Sequence, residues 1–185
     1  MIGRLPTSLE ISGKEYKIRT DYRDCILILQ AFADVELTLE EKAQVLLEVL
    51  YLDTPEEANL QEAYDKAVWF LNCGDKVVSP VKGKPLYDFE QDEQIIFSAV
   101  NKVAGKEVRE LEYMHFWTFI SLFNEIGEGT FSTIVSIRNN RNKGNQLENH
   151  EKEFYRNNRE LVDLKRKYTG KELEQLNVLN ALLGK

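Results

Sequence analysis

Apolar and polar residues alternate twice near the start of the chain, as Leu9-Glu10-Ile11 and Tyr16-Lys17-Ile18, on either side of Ser12-Gly13-Lys14. A period of two lines up one face of a strand, and the small polar residues between suit a tight turn, so this segment predicts a β-hairpin. Every later pattern has a helical period. A first helix is expected over about 21–32, with Arg23 and Asp24 on its wet face. Thr38 and Glu41 have capping-box spacing, each side chain serving the other's free N–H, and open a helix carrying Val45, Leu46, Val49 and Leu50. In Thr54-Pro55-Glu56-Glu57, proline at a first helical position loses no bond, so a third helix is expected from there through Tyr64, Val68 and Leu71 to Gly74. Residues 75–85, with Pro80, Gly83 and Pro85, predict a loop in which Val77 and Val78 extend briefly.

Asp88 and Gln91 then open a helix whose apolar set, Phe89, Ile96, Ala99, Val100 and Val103, runs to Gly105. The next, about 112–126, is dense in rings: Phe116, Trp117, Phe119, Ile120, Leu122, Phe123 and Ile126 surround most of its circumference, as in a central buried helix. Thr130 caps a shorter helix bearing Phe131, Ile134, Val135 and Ile137. Residues 139–145, almost all Asn, Arg, Lys and Gly, read as a solvated linker. Beyond it, 146–168 carries Phe154, Leu161, Leu164 and Tyr168, and 169–183 carries Leu173, Leu176, Leu179 and Leu182, narrow stripes that need a partner. The expected fold is mainly α: a helical bundle with a small N-terminal hairpin at 1–138, a linker at 139–145, and a C-terminal helical extension at 146–185.

A composition of 43% hydrophobic and 30% charged residues over 185 positions fits a globular chain of one domain with an appendage. The longest apolar runs, such as 25–29, fall far short of the ~18 residues of a membrane span, and Met1-Ile2-Gly3-Arg4-Leu5-Pro6 lacks an apolar signal core, so a cytoplasmic location is expected. Cys25 and Cys73 lie in apolar helical patterns with no second pair, which favours reduced core thiols. The charge is uneven: residues 1–138 hold 14 Lys/Arg against 24 Asp/Glu, while 139–185 hold 10 against 7. An acidic body with a mildly basic tail disfavours nucleic acid and suits head-to-tail packing or an oppositely charged partner.

Chemistry is sparse. His115 and His150 stand in unlike settings without metal-ligand spacing, and His115 reads as a core-edge residue with a satisfied ring nitrogen. Asp88 and Asp92, four apart, could form an acid–base pair, but an acid-rich first helical turn is the plainer account. Arg138, Arg141, Lys143 and Lys165-Arg166-Lys167 are interleaved with acids and read as solvated helix faces. No phosphate loop or nucleophile elbow occurs, so no enzyme, cofactor or metal is expected.

Five segments carry a family resemblance: Leu5-Pro6 with the hairpin and Thr20-Asp21-Tyr22-Arg23, Trp69-Phe70-Leu71-Asn72-Cys73-Gly74, Tyr87-Asp88-Phe89-Glu90-Gln91-Asp92, His115-Phe116-Trp117-Thr118-Phe119, and the stretch from Phe131 to Arg138. In that order, over about 1–141, the chain resembles the family named after gene product fifteen of long-tailed phages of Gram-positive hosts. The resemblance implies a gene beside the tape-measure gene and a role like that of tail assembly chaperones, which hold the tape-measure protein soluble and recruit tail-tube protein in the host cytoplasm before leaving the particle. A homo-oligomer fits the same picture. The contact residues expected are Phe116 and Trp117, where the aromatic helix is exposed, and Phe154, Leu161, Leu164, Leu176 and Leu179 on the tail. A structural virion component (a tail-completion or connector protein) and a host-directed regulatory binding protein are the alternatives.

Overall fold

The computed structural model describes residues 3–75 and 83–182, with the backbone alone at 176 and 178–182. Strands β1 (Ser8–Ile11) and β2 (Lys14–Lys17) pair antiparallel with Leu9 opposite Tyr16 and Ile11 opposite Lys14. Ser12 and Gly13 make the turn at φ 48° and 78°, the positive values a two-residue hairpin loop requires. The period of two then puts Leu9, Ile11 and Tyr16 into the core.

Helices α1 (Tyr22–Ala33) and α2 (Leu39–Leu50) form an antiparallel pair. Asp21 caps α1 by accepting from the Arg23 amide, and the Thr38–Glu41 box is formed in both directions at 2.8 and 3.2 Å. At the far end of α2, Arg19 donates to the carbonyls of Glu48, Val49 and Tyr51, groups that a helix terminus leaves without partners. The next helix starts later than the proline suggests. Pro55 is buried ahead of a 3-10 turn, Glu57–Asn59, and α3 is Leu60–Leu71. Gly74 ends the segment at φ 89°, a conformation strained for any side chain, and a Cβ there would press on the Trp117 ring at 3.2 Å and the Trp69 ring at 3.4 Å. The loop expected at 75–85, with Val77 and Val78, lies largely outside the described residues.

Asp88 caps a single turn by accepting from the Glu90 and Gln91 amides, and regular helix α4 (Glu93–Ala104) follows, stopped by Gly105 at φ 68°. The aromatic helix α5 is Phe116–Asn124, shorter than expected because its N-cap is His115. Phe116 and Phe119 are fully buried; Phe119 stacks on Tyr22 at 4.7 Å and 6°, and Phe116 meets Phe70 at 6.1 Å. Each such side chain contributes roughly 1.5–3 kcal/mol through burial.

The largest departure is α6, which spans Thr130–Lys143 and so runs through most of the stretch expected as linker. Arg141 and Lys143 suit the negative end of its dipole, and Gly144 at φ 72° closes it. Polar contacts replace apolar packing there: Asn140 donates to Glu151, and Arg141 pairs with Asp163 and lies 4.4 Å over the Tyr155 ring. The single piece expected at 146–168 is two helices, α7 (Asn149–Asn157) and α8 (Arg159–Val162), separated at Asn158 and followed by extended chain. The last helix, α9, is Gly170–Leu182. The fold is mainly α with a two-stranded hairpin and C-terminal helices, as the pattern predicts.

Candidate functional site

Two charged residues occupy inward positions. Asp92 falls three after Phe89 and four before Ile96, and Arg138 falls four after Ile134, so each stands on an apolar stripe where a hydrophobic residue is expected. They meet as a bidentate pair, 2.6 and 3.0 Å, at 3% and 5% exposure. Arg138 uses all five of its N–H groups: Nε donates to the Val162 carbonyl at 2.6 Å, Nη1 to the Leu86 carbonyl at 3.0 Å, Nη2 to the Leu161 carbonyl at 3.0 Å, and the remaining two bind Asp92. A planar guanidinium is the one side chain with enough fixed donors to join α4, α6 and the C-terminal segment at one point. The sequence reading preferred an acid-rich first turn to an acid–base pair for Asp88 and Asp92, and a solvated face for Arg138; Asp88 does cap a turn, but Asp92 and Arg138 are buried partners.

The same segment is tied down further along. The Gln91 side chain pairs reciprocally with the Lys165 backbone, at 3.1 and 2.8 Å, as a neighbouring strand would. Lys167 reaches Asp88 at 3.1 Å and Glu90 at 3.0 Å. Burial pushes the Asp88 carboxyl up, but the Gln91 amide, Lys167 and the Glu90 amide outweigh it and hold it below its ordinary value. Burial likewise raises Asp163, and Arg141, Tyr155 and Arg159 more than reverse it. Glu151 is lowered by the Glu148 amide and by Ser136. Residues 146–167 thus form a strap across α6 and the start of α4, over a small apolar cluster of Ile134, Ile137 and Val162.

The expected contact residues separate accordingly. Phe116 is interior. Trp117 is half-buried, donates from Nε1 to the Phe70 carbonyl at 2.8 Å, and sits edge-on to Trp69, which is 36% exposed. Phe154 is half-buried in the strap's cluster, Leu164 is half-buried, and Leu161 is 39% exposed while its carbonyl serves Arg138. The side chains of Leu176 and Leu179 lie outside the described residues. The structure therefore gathers Phe154 with Val162 on α6 and leaves Phe116 in a different core. Sequence reading missed Arg138, Asp92 and Gln91; a charge in register with an apolar stripe was the available signal.

Beyond the strap, α9 opens with a capping box of its own: the Thr169 amide donates to Glu172 at 3.0 Å and the Glu172 amide to Thr169 Oγ1 at 3.3 Å. Leu173, the first residue of its apolar series, is 45% exposed.

His115 takes an architectural role. Its Nδ1 accepts from the Trp117 amide at 3.1 Å, so the other ring nitrogen carries the proton and donates to the Pro6 carbonyl at 3.0 Å. The Tyr22 amide donates to the Met114 carbonyl and the Phe116 amide to the Thr20 carbonyl, at 3.0 and 2.7 Å, pinning the starts of α1 and α5 together beside the approach to β1. Cys25 is fully buried, and burial raises its thiol well above the ordinary range.

No helix among the described residues is long and apolar enough to cross a membrane. Searches of curated proteins and of solved structures return no match. The family model described as Bacteriophage Gp15 protein matches residues 1–164, past the 141 positions of the resemblance, so that the hairpin, the bundle and most of the strap fall within it and α9 falls outside. With most of its length so matched, the chain belongs to the bacteriophage Gp15 family, a group of phage structural and morphogenesis proteins.

Proposed function

We propose that this protein is a tail assembly chaperone that acts by binding, without catalysis: it holds the tape-measure protein, and through it tail-tube subunits, in the host cytoplasm and leaves before the particle is complete. The observation that carries the reading is α9. It is a capped helix beyond the strap, and it shows Leu173 to water where an apolar stripe begins. A helix in which leucine recurs every third residue from an exposed first member suits a partner that is itself long and helical, with those leucines as anchors. Family membership supplies the phage context.

Co-expression with the tape-measure product of the same genome tests this. The expected result is soluble tape measure that co-purifies with the chain, and a chain cut after Lys167 that stays folded but captures much less. Cutting at 142 is a poorer test, because it removes the carbonyls of Leu161 and Val162 from buried Arg138. Unchanged tape-measure solubility with no complex overturns the proposal. Stable presence of the chain in purified particles would instead make it a virion component.

A further inference from the structure

Among the described residues, the hairpin leaves one backbone edge unpaired. The Ile18 amide donates to the Thr7 carbonyl, and with a two-residue turn the residues of β1 that bond to β2 are Leu9 and Ile11, in phase with Thr7. The N–H and C=O groups of Ser8 and Glu10 then point away from β2, and among the described residues neither makes another backbone hydrogen bond. Along that edge runs a groove of about 420 Å³, lined by Pro6, Ser8, Leu9 and Glu10 on one wall and by Asp65, Lys66 and Trp69 of α3 on the other. No β2 residue lines it, as expected for the free side of β1.

We propose that this groove receives an extended peptide strand from a partner protein, paired in β-fashion with Ser8 and Glu10. The open edge selects the occupant's conformation, because a helix has its backbone groups committed internally and cannot satisfy donors and acceptors that recur every second residue. The walls select its side chains. Trp69, 36% exposed, offers apolar surface, and Glu10 and Asp65 outnumber Lys66, so the matching strand alternates apolar with basic residues. The edge is pre-organised: His115 holds the Pro6 carbonyl, and Ser12 ties the turn to Asn59 and Glu62 at the start of α3. The site needs neither α9 nor the strap.

The test uses the isotope-labelled full chain and a capped six-residue peptide of alternating valine and lysine. Amide shifts are expected at Ser8, Glu10, Asp65 and Lys66 together with the Trp69 indole. The same peptide N-methylated on the edge facing β1 should bind at least about tenfold more weakly, since it loses its backbone hydrogen bonds. Glu10→Pro removes both an outward N–H that the hairpin ladder does not use and a wall charge, and should weaken binding to a similar degree, whereas Glu10→Gln keeps the N–H, loses only the charge and should weaken it by clearly less. Slow exchange of the Ile11 amide reports whether the proline variant keeps its hairpin; if it does not, the methylated peptide decides. Equal binding of methylated and unmethylated peptides overturns the proposal, as do shifts confined to other surfaces. Preferential binding of a helical peptide comprising 170–182 would also overturn it, assigning the groove to a second copy.

Discussion

The body and the strap are both held to the molecule, but by different physics. Around α5 the body buries Tyr22, Phe70, Phe97, Phe116 and Phe119 in one apolar cluster, and its strength comes from area removed from water. The strap buries one fully apolar side chain, Val162, and relies on Arg138, Asp92, Glu151 and Gln91 for oriented bonds. Hydrophobic burial is strong and tolerant of direction; a saturated guanidinium is directional and fixes one register. The body is thus built to persist, while the strap sets where the last helix leaves it.

The comparison breaks most severely in the body. Phe119→Ala deletes a fully buried ring stacked on Tyr22 and should cost about 3–5 kcal/mol, releasing body and strap together in a urea titration followed by circular dichroism. A smaller, local effect is expected at the ion pair. Asp92→Ala leaves the Arg138 charge buried and should cost about 3 kcal/mol. In hydrogen exchange, amides at 146–167 should then lose protection while α1 and α5 keep theirs. If both regions opened together, the strap would be an integral part of the body and the contrast would fail.

The smallest effect is acid sensitivity. Asp88, Asp163 and Glu151 have folded values held below their ordinary ones, so what they contribute is complete above about pH 5 and is lost as pH falls through the lowered values. The Asp88 and Asp163 ion pairs contribute modestly, about 0–1 kcal/mol each, and Glu151 acts through hydrogen bonds from Ser136, Asn140 and the Glu148 amide rather than through a cation. Lys167 is raised despite its burial, because Glu90 and Asp88 outweigh the desolvation, so its share is lost only in strong alkali, above its ordinary 10.5. Pepsin digestion stepped downward from pH 4 should therefore cut within the strap before the body. Cleavage of both at the same pH would show that these carboxylates do not distinguish them.

What the sequence determined by itself was local. The hairpin around Ser12-Gly13, the Thr38–Glu41 box, the stops at Gly74 and Gly105 and the burial of Phe119 all depend on residues within a few positions of each other, where periodicity and backbone preference act directly. The five segments that carry the family resemblance were legible for the same reason. Only the tertiary structure decided the rest. Helix α6 continues through 139–143 because its polar residues bind Glu151 and Asp163, and Arg138 is buried because Asp92, 46 positions earlier, is turned toward it. The open edge of β1 became a groove only when α3 was laid beside it. A charge facing inward looks the same in a sequence as one facing water; the partners that make burial tolerable are chosen by the fold.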